Sequence, residues 1–103
     1  MLKIQPNPTF MSRVVIPTPE GEVAIKVEFK HMDIDTYAEF IQKEATLNRS
    51  NEDAIMDIAA GWSGVDGEFS RENVAAVCKR YHGAATAIVE TFIKELTQAK
   101  EKN

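Results

Sequence analysis

The chain has 103 residues, of which 44% are hydrophobic and 27% are charged, and its formal net charge is −4. A chain of this length can bury one modest hydrophobic core, and it contains no apolar run near the roughly 20 residues that a membrane-spanning helix needs. The acidic balance also disfavours contacts with the phosphate backbone of nucleic acids. We therefore expect one domain over residues 1–103, with neither a membrane nor a nucleic acid as its partner.

The N-terminal segment and the cysteine content indicate a cytoplasmic protein. Residues 1–10 lack the charged and then apolar composition of a secretory signal peptide. Cys78 has no second cysteine in the chain with which to form an internal disulfide. Both observations favour a reducing compartment.

Two β-rich runs come first in the chain. In residues 23–30 large apolar residues alternate with mostly charged ones, which is typical of a strand buried on one face. Residues 10–16 form the other run, and the connection over 17–22 contains two prolines and a glycine, which favour a turn. We expect an antiparallel hairpin over about residues 10–30, covered by helices because an isolated hairpin is only marginally stable.

A helical period begins at Asp35. Thr36 and Glu39 have the spacing of a capping box, and the first predicted helix extends to about Leu47. Its apolar stripe consists of Tyr37, Phe40 and Ile41.

A second helix is predicted to begin at Ser50 or Asn51 and to extend as far as Trp62. Apolar residues recur at i, i+3, i+4 and i+7 in this segment, namely Ile55, Ile58, Ala59 and Trp62. Gly61 and Gly64 are available to end the helix. We therefore expect Trp62 to close this helix onto the core and to be largely buried.

The last two helices are predicted on either side of Gly83. Ser70 is the expected N-cap of the third helix, and Gly83 separates it from the fourth. The apolar stripes are Val74, Val77, Cys78 and Tyr81 in the third, and Ile88, Val89, Phe92, Ile93 and Leu96 in the fourth. The predicted fold is thus α+β, with an N-terminal antiparallel β-hairpin packed on about four α-helices and a helical part over about residues 35–98. The tail over residues 98–103 is expected to fray.

The loop over residues 66–69 has the glycine and acidic residues of a calcium-binding EF-hand, but not its ligands. When Gly67 and Phe69 are aligned to the sixth and eighth positions of that loop, Trp62, Gly64 and Asn73 fall at the first, third and last positions, and none of them can supply the carboxylate needed there. We therefore expect no calcium site here. The glycines are expected to serve a tight turn.

The remaining candidates for chemistry have simpler explanations. His31 and His82 have no second ligand at metal-binding spacing on their own elements. Cys78 lies on an apolar stripe, where cysteine usually packs as a small hydrophobic residue. The sequence therefore predicts no catalytic residue, no cofactor and no metal site, and hence no enzyme.

A helix-turn-helix remains open, because only His82 and Gly83 separate the third and fourth predicted helices. The first two turns of the fourth helix contain no Arg, Asn or Gln that could contact base edges or phosphates. DNA binding is therefore kept only as an alternative.

Seven short runs occur in order along nearly the whole chain: PNPTF at 6–10, VIP at 15–17, FKH at 29–31, WSGVD at 62–66, FSRE at 69–72, YHGAA at 81–85 and AKEKN at 99–103. Their order and spacing resemble the tail assembly chaperones of long-tailed bacteriophages and prophages. His82 departs from the pattern, because members of that family usually have proline before the Gly-Ala pair. A proline would pre-set the first turn of the fourth helix, and His82 does not restrict the backbone in this way.

The resemblance implies a non-enzymatic protein that acts in the cytoplasm of a bacterial host. Proteins of this family bind the long tape measure protein during tail assembly, keep it soluble, help tail tube subunits gather on it, and are generally absent from the finished virion. A hydrophobic groove that accepts an amphipathic helix is one physical means of such binding. The candidate partner-binding residues are Trp62, Val65, Phe69 and Phe92, although a purely structural role for them is equally compatible with the sequence.

Two other functions stay open, a minor structural protein of the tail and a small DNA-binding prophage regulator. The resemblance also suggests a longer product made by ribosomal frameshifting. Residues 101–103 can be encoded with the heptamer A-AAA-AAC, on which paired tRNAs can slip back by one base. A solubilising, Lys-rich helix end explains the same residues equally well.

Overall fold

The computed structural model describes residues 1–98. Within them the elements are β1 (Thr9–Thr18), β2 (Gly21–Lys30), α1 (Ile34–Thr46), α2 (Asn51–Ile58), β3 (Ala59–Ser63), α3 (Arg71–Arg80) and α4 (Ala84–Thr97). The three strands form one antiparallel sheet in the order β1-β2-β3. The predicted α+β class is therefore confirmed, with a third strand added to the hairpin. In the described part of the chain, no helix combines the length and apolar character needed to cross a bilayer.

The predicted N-terminal hairpin is confirmed, and its strands are longer than expected. Thr9 pairs with Lys30 at one end, and Thr18 pairs with Gly21 at the turn. Gly21 has φ of 118°, a conformation that glycine adopts without a Cβ clash. Pro17 belongs to the predicted connection, but it lies within β1, which is an edge strand and so tolerates a residue without an N–H group.

The two faces of the sheet differ in burial. Val14 and Ile16 of β1 and Ile25, Val27 and Phe29 of β2 are at most 5% exposed and face the helices. The intervening residues point to the other face, where both strands expose charged side chains. The alternation seen in the sequence thus corresponds to a sheet that is covered on one side only.

Phe92 of α4 is the centre of the core. It is 0% exposed, and four other aromatic rings have their centroids within 6.5 Å of its own, namely Phe10, Phe29, Tyr37 and Phe40. These rings come from both strands of the hairpin and from α1. One side chain of α4 therefore joins three separate parts of the chain.

The first helix begins earlier than its sequence signals indicated. Asp33 is the N-cap, and its carboxylate accepts a hydrogen bond of 2.8 Å from the backbone N–H of Thr36. The Thr36–Glu39 capping box predicted from the sequence is therefore wrong, because Thr36 already lies inside the first turn. Of the predicted stripe, Phe40 is buried, whereas Ile41 is 38% exposed.

The second helix is shorter than predicted. Of the two candidate N-caps, Ser50 caps the helix, in a capping box with Asp53, but the helix ends at Ile58 and the chain continues as β3. The prediction that Trp62 closes a helix is therefore wrong. Trp62 lies on β3 opposite Val27 and is only partly buried. Antiparallel pairing satisfies the backbone groups along the second edge of β2, which outweighs the helical spacing of four apolar residues.

The boundaries of the last two helices agree with the prediction. The Ser70 hydroxyl accepts a hydrogen bond of 3.1 Å from the N–H of Asn73 and caps α3. Gly83 is the N-cap of α4 and provides no side-chain cap. Fraying was predicted for residues 98–103 and the frameshift for residues 101–103, and apart from Gln98, the C-cap of α4, these residues lie outside the described part of the chain.

Candidate partner-binding groove

A groove of about 500 Å³ lies between the turn end of the hairpin, the loop after β3 and one side of α3. We call it the client groove. Its lining consists of Ile16, Thr18, Val23, Ile25, Gly64, Val65, Asp66, Gly67, Asn73, Ala76, Val77, Arg80 and Tyr81.

The client groove has an apolar floor, and its mixed rim includes large apolar side chains beside polar and charged ones. Ile16 and Ile25 of the hairpin are each 5% exposed and form the floor, which is continuous with the core. Val23 at 48% exposure and Tyr81 at 39% exposure contribute to the rim. Large apolar side chains at such exposure beside a concave surface are typical of a site that another molecule covers.

The loop between β3 and α3 forms one wall of the client groove and is held by side-chain contacts. The indole N–H of Trp62 donates to the carbonyl of Gly67 at 2.8 Å. The ring of Trp62 also meets the ring of Phe69 edge to face, with 5.4 Å between the centroids. From α3, the Asn73 side-chain amide donates to the carbonyl of Glu68 at 2.8 Å. This wall is therefore set before any partner arrives.

Gly64 allows the same loop to pass close to β2. Its φ is 87°, and an added Cβ would lie 3.4 Å from the Cα of Ile25. A side chain at this position would require a backbone conformation that L-residues rarely adopt, whereas its Cβ would make only ordinary van der Waals contact with the strand. The glycine predicted to end a helix therefore lets the chain turn from β3 into the groove wall.

The four candidate residues from the sequence have different positions. Val65 lines the client groove. Trp62 and Phe69 are half-buried and contact each other, so they support the wall. Phe92 is 0% exposed at the centre of the core, so its side chain has no surface to offer a partner in this conformation. We therefore exclude Phe92 from the proposed binding surface.

Sequence reasoning missed most of the groove lining. The alternation in the sequence predicts Val23 as an inward residue of the hairpin, and the apolar stripe of the third predicted helix ends at Tyr81. Each lies at the terminal apolar position of its pattern, where the covering elements end. The sequence could therefore have indicated that these two residues are less covered than the others in their patterns. It does not reveal that the end of the strand pattern and the end of the helix stripe lie beside each other.

A second, shallower depression of about 340 Å³ lies on the outer face of the sheet and adjoins the client groove at Ile25 and Gly64. The remainder of its lining consists of Arg13, Ala24, Lys26 and Ser63. We call the Arg13, Lys26 and Ser63 side chains the basic row, because these residues follow one another across β1, β2 and β3. An apolar groove is thus continuous with a cationic surface.

The described titratable residues do not form a recognisable reaction site. Burial, with a smaller contribution from the charge of Glu52, raises the pKa of the Cys78 thiol to about 11. A thiol with such a pKa is almost entirely protonated near neutral pH and is a poor nucleophile. In residues 1–98 no group of three or more His, Cys, Asp or Glu side chains is arranged to hold a metal ion.

Comparison with known proteins identifies a matching family. The family model described as phage tail assembly chaperone matches residues 1–103, which is the full length of the chain. No curated protein and no solved structure matches the chain.

Proposed function

Because this chain belongs to the phage tail assembly chaperone family, we propose that it binds the tape measure protein during tail assembly, in the cytoplasm of the bacterial host and without catalysis. Family membership supports the role in tail assembly, and the client groove supplies a surface for the binding step. Tail tube subunits are a second proposed partner, recruited once the tape measure protein is bound.

The observation that carries this proposal is the apolar lining of the client groove. A long amphipathic helix exposes an apolar stripe until a partner covers it. An α-helix with side chains is about 10 Å wide, so a groove of about 500 Å³ accepts side chains of the stripe while the helix lies along its rim. Covering the stripe removes apolar surface from water, which is the dominant favourable contribution to such association.

Val65, Val23 and Tyr81 are the residues we expect to contact the client, because all three line the groove. Trp62 and Phe69 are expected to act indirectly by holding the wall. This assignment retains three of the four residues suggested by the sequence and divides them by role.

We expect a charged residue in the groove rim to abolish the chaperone effect. The test co-expresses the cognate tape measure protein with the wild type, with Val23→Asp and with Ile34→Asp. Val23 is 48% exposed in the groove, whereas Ile34 is 87% exposed on α1 and does not line the groove. Both variants add one negative charge in place of an exposed aliphatic side chain. Wild type and Ile34→Asp should raise the soluble yield of the tape measure protein and co-purify with it, and Val23→Asp should do neither.

Circular dichroism and thermal melting establish that both variants are folded before the comparison is made. A tape measure protein that is equally insoluble with and without the wild-type chain would contradict the proposed function. Detection of this chain in purified virions would instead support a structural tail protein. A specific gel shift with DNA would support the regulator.

A further inference from the structure

We propose that the client segment bound in the groove carries acidic residues beside its apolar stripe, and that Arg13 and Lys26 of the basic row bind those residues. This inference rests on the function proposed above and specifies the chemistry of the client at the same site. It names two specificity-determining residues that lie outside the groove lining.

The first observation is a pair of like charges that face each other. Arg13 and Lys26 are direct cross-strand partners, and both are exposed on the outer face of the sheet. Like charges directly opposite each other in a sheet are destabilising. In the described part of the chain, the ion pairs of arginine involve Arg49 and Arg71, and neither Arg13 nor Lys26 forms one. An anion bound from outside would relieve this repulsion.

The second observation is the position of this pair beside the client groove. The depression that contains Arg13 and Lys26 shares Ile25 and Gly64 with the groove. A segment whose apolar side chains enter the groove can therefore place its polar side chains over the basic row. Ser63 of β3 lies opposite Lys26 of β2 and adds an exposed hydroxyl to the row.

The surrounding charges favour a carboxylate-bearing client. The groove lining itself contains one acid, Asp66, and one base, Arg80, so its formal charges balance. On the outer face the next outward residue of β2 is Glu28, and its carboxylate accepts a hydrogen bond of 2.8 Å from Thr9, toward the far end of β1. The combined surface is therefore cationic where groove and depression meet, in a chain whose net charge is −4. Electrostatic complementarity at such a position sets specificity and association rate.

An acidic protein segment fits these observations better than a nucleic acid. A phosphate backbone needs cations along an extended track, whereas here two cations adjoin an apolar groove. The sugar and phosphate groups of a nucleic acid would not fill that groove. An amphipathic helix with acidic flanks would satisfy both surfaces at once.

The test measures the affinity of labelled peptides that together span the cognate tape measure protein. Fluorescence anisotropy is recorded with the wild type, with the double variant Arg13→Glu/Lys26→Glu, and with the matched control Lys3→Glu/Lys43→Glu. The control makes the same change of charge at two exposed lysines, one in the N-terminal segment and one on α1. We expect the peptide that binds the wild type most tightly to lose about tenfold in affinity for the double variant at low ionic strength, where attraction becomes repulsion. The control should bind as the wild type does.

A second measurement reverses the charge on the peptide. Replacing the acidic residues of that peptide by lysine should weaken its binding to the wild type and restore its binding to Arg13→Glu/Lys26→Glu.

Affinity that is unchanged in the double variant would overturn this inference. If Val23→Asp abolished peptide binding in the same experiment, the proposed function would survive that result. If neither variant changed the affinity, the groove itself would be excluded as the binding site. Tighter binding of duplex DNA than of any peptide, lost in the double variant, would also overturn the inference.

Discussion

At the scale of single residues, Gly83 is the glycine with the least space for a side chain, because it packs against Pro17. Gly83 has φ of −95° and ψ of 2°, which most residues can adopt, so its backbone does not require glycine. A Cβ at this position, however, would lie 2.6 Å from Cγ of Pro17. The proline ring is rigid and belongs to β1, so neither partner can move without shifting a strand or the start of α4.

We predict that Gly83→Ala destabilises the protein by about 1–3 kcal/mol, which is the usual cost of overpacking. Gly61→Ala is the matched control, because its Cβ would lie 3.3 Å from Oε1 of Glu28, at the flexible end of a long side chain. Urea unfolding followed by circular dichroism gives both values. Equal stability of the two variants would show that Pro17 yields, contrary to this interpretation.

Cys78 provides a second prediction at this scale. Because burial raises the pKa of its thiol to about 11, the thiolate fraction of the native protein stays very small at pH 8. Alkylation by iodoacetamide should therefore be much slower in the native protein than in the urea-unfolded chain. The native rate should rise steeply only as the pH approaches 11. Equal rates at pH 8 would contradict the raised pKa.

At the scale of elements, a polar junction joins the start of α2 to the start of α3. Asp53 completes the capping box with Ser50, and its carboxylate also forms an ion pair with Arg71, the first residue of α3. Two hydrogen bonds lower the pKa of Asp53 below its ordinary value of 3.8, and the one from Arg71 has a larger effect than the one from Ser50. Two helices that are separated by β3 are thus connected at their first turns.

We predict that Asp53→Asn lowers the free energy of unfolding at pH 7. A lowered pKa means that the carboxylate contributes its stabilisation above about pH 3.8, and that this contribution is lost as the pH falls through the lowered value. The difference between wild type and variant should therefore shrink under strongly acidic conditions. Asp35→Asn, at an exposed acid in the first turn of α1, is the control. A difference that is independent of pH would exclude the electrostatic explanation.

The third strand is the element that changes the site most. A helix continued to Trp62 would have left the second edge of β2 open and moved the following loop away from the hairpin. As β3, the same residues pair with Lys26 and Val27 of β2. The chain then turns at Gly64 directly beside Ile25. The client groove and the basic row both depend on this turn.

At the scale of the whole molecule, the sheet separates two environments. Its inner face packs on the helices, where Phe92 of α4 contacts rings of the hairpin and of α1. Its outer face is open and carries the basic row. The client groove lies where the inner face reaches its limit at the hairpin turn. The groove and the charged face therefore adjoin, and the two binding experiments described above test whether one protein segment contacts both.

The sequence by itself determined the hairpin, the α+β class, the cap at Ser70 and the family, and it left Ser50 and Asn51 as alternatives at the start of α2. Those features depend on residues close together in the chain, through alternation, capping and short motifs. Only the tertiary structure decided that residues 59–63 form a strand, that Phe92 is buried and that Val23 and Tyr81 line one groove. The physical reason is that these outcomes depend on pairing and burial between distant segments. A sheet edge that needs a partner can override a helical pattern, and the exposed end of one apolar stripe becomes a site only where another stripe ends beside it.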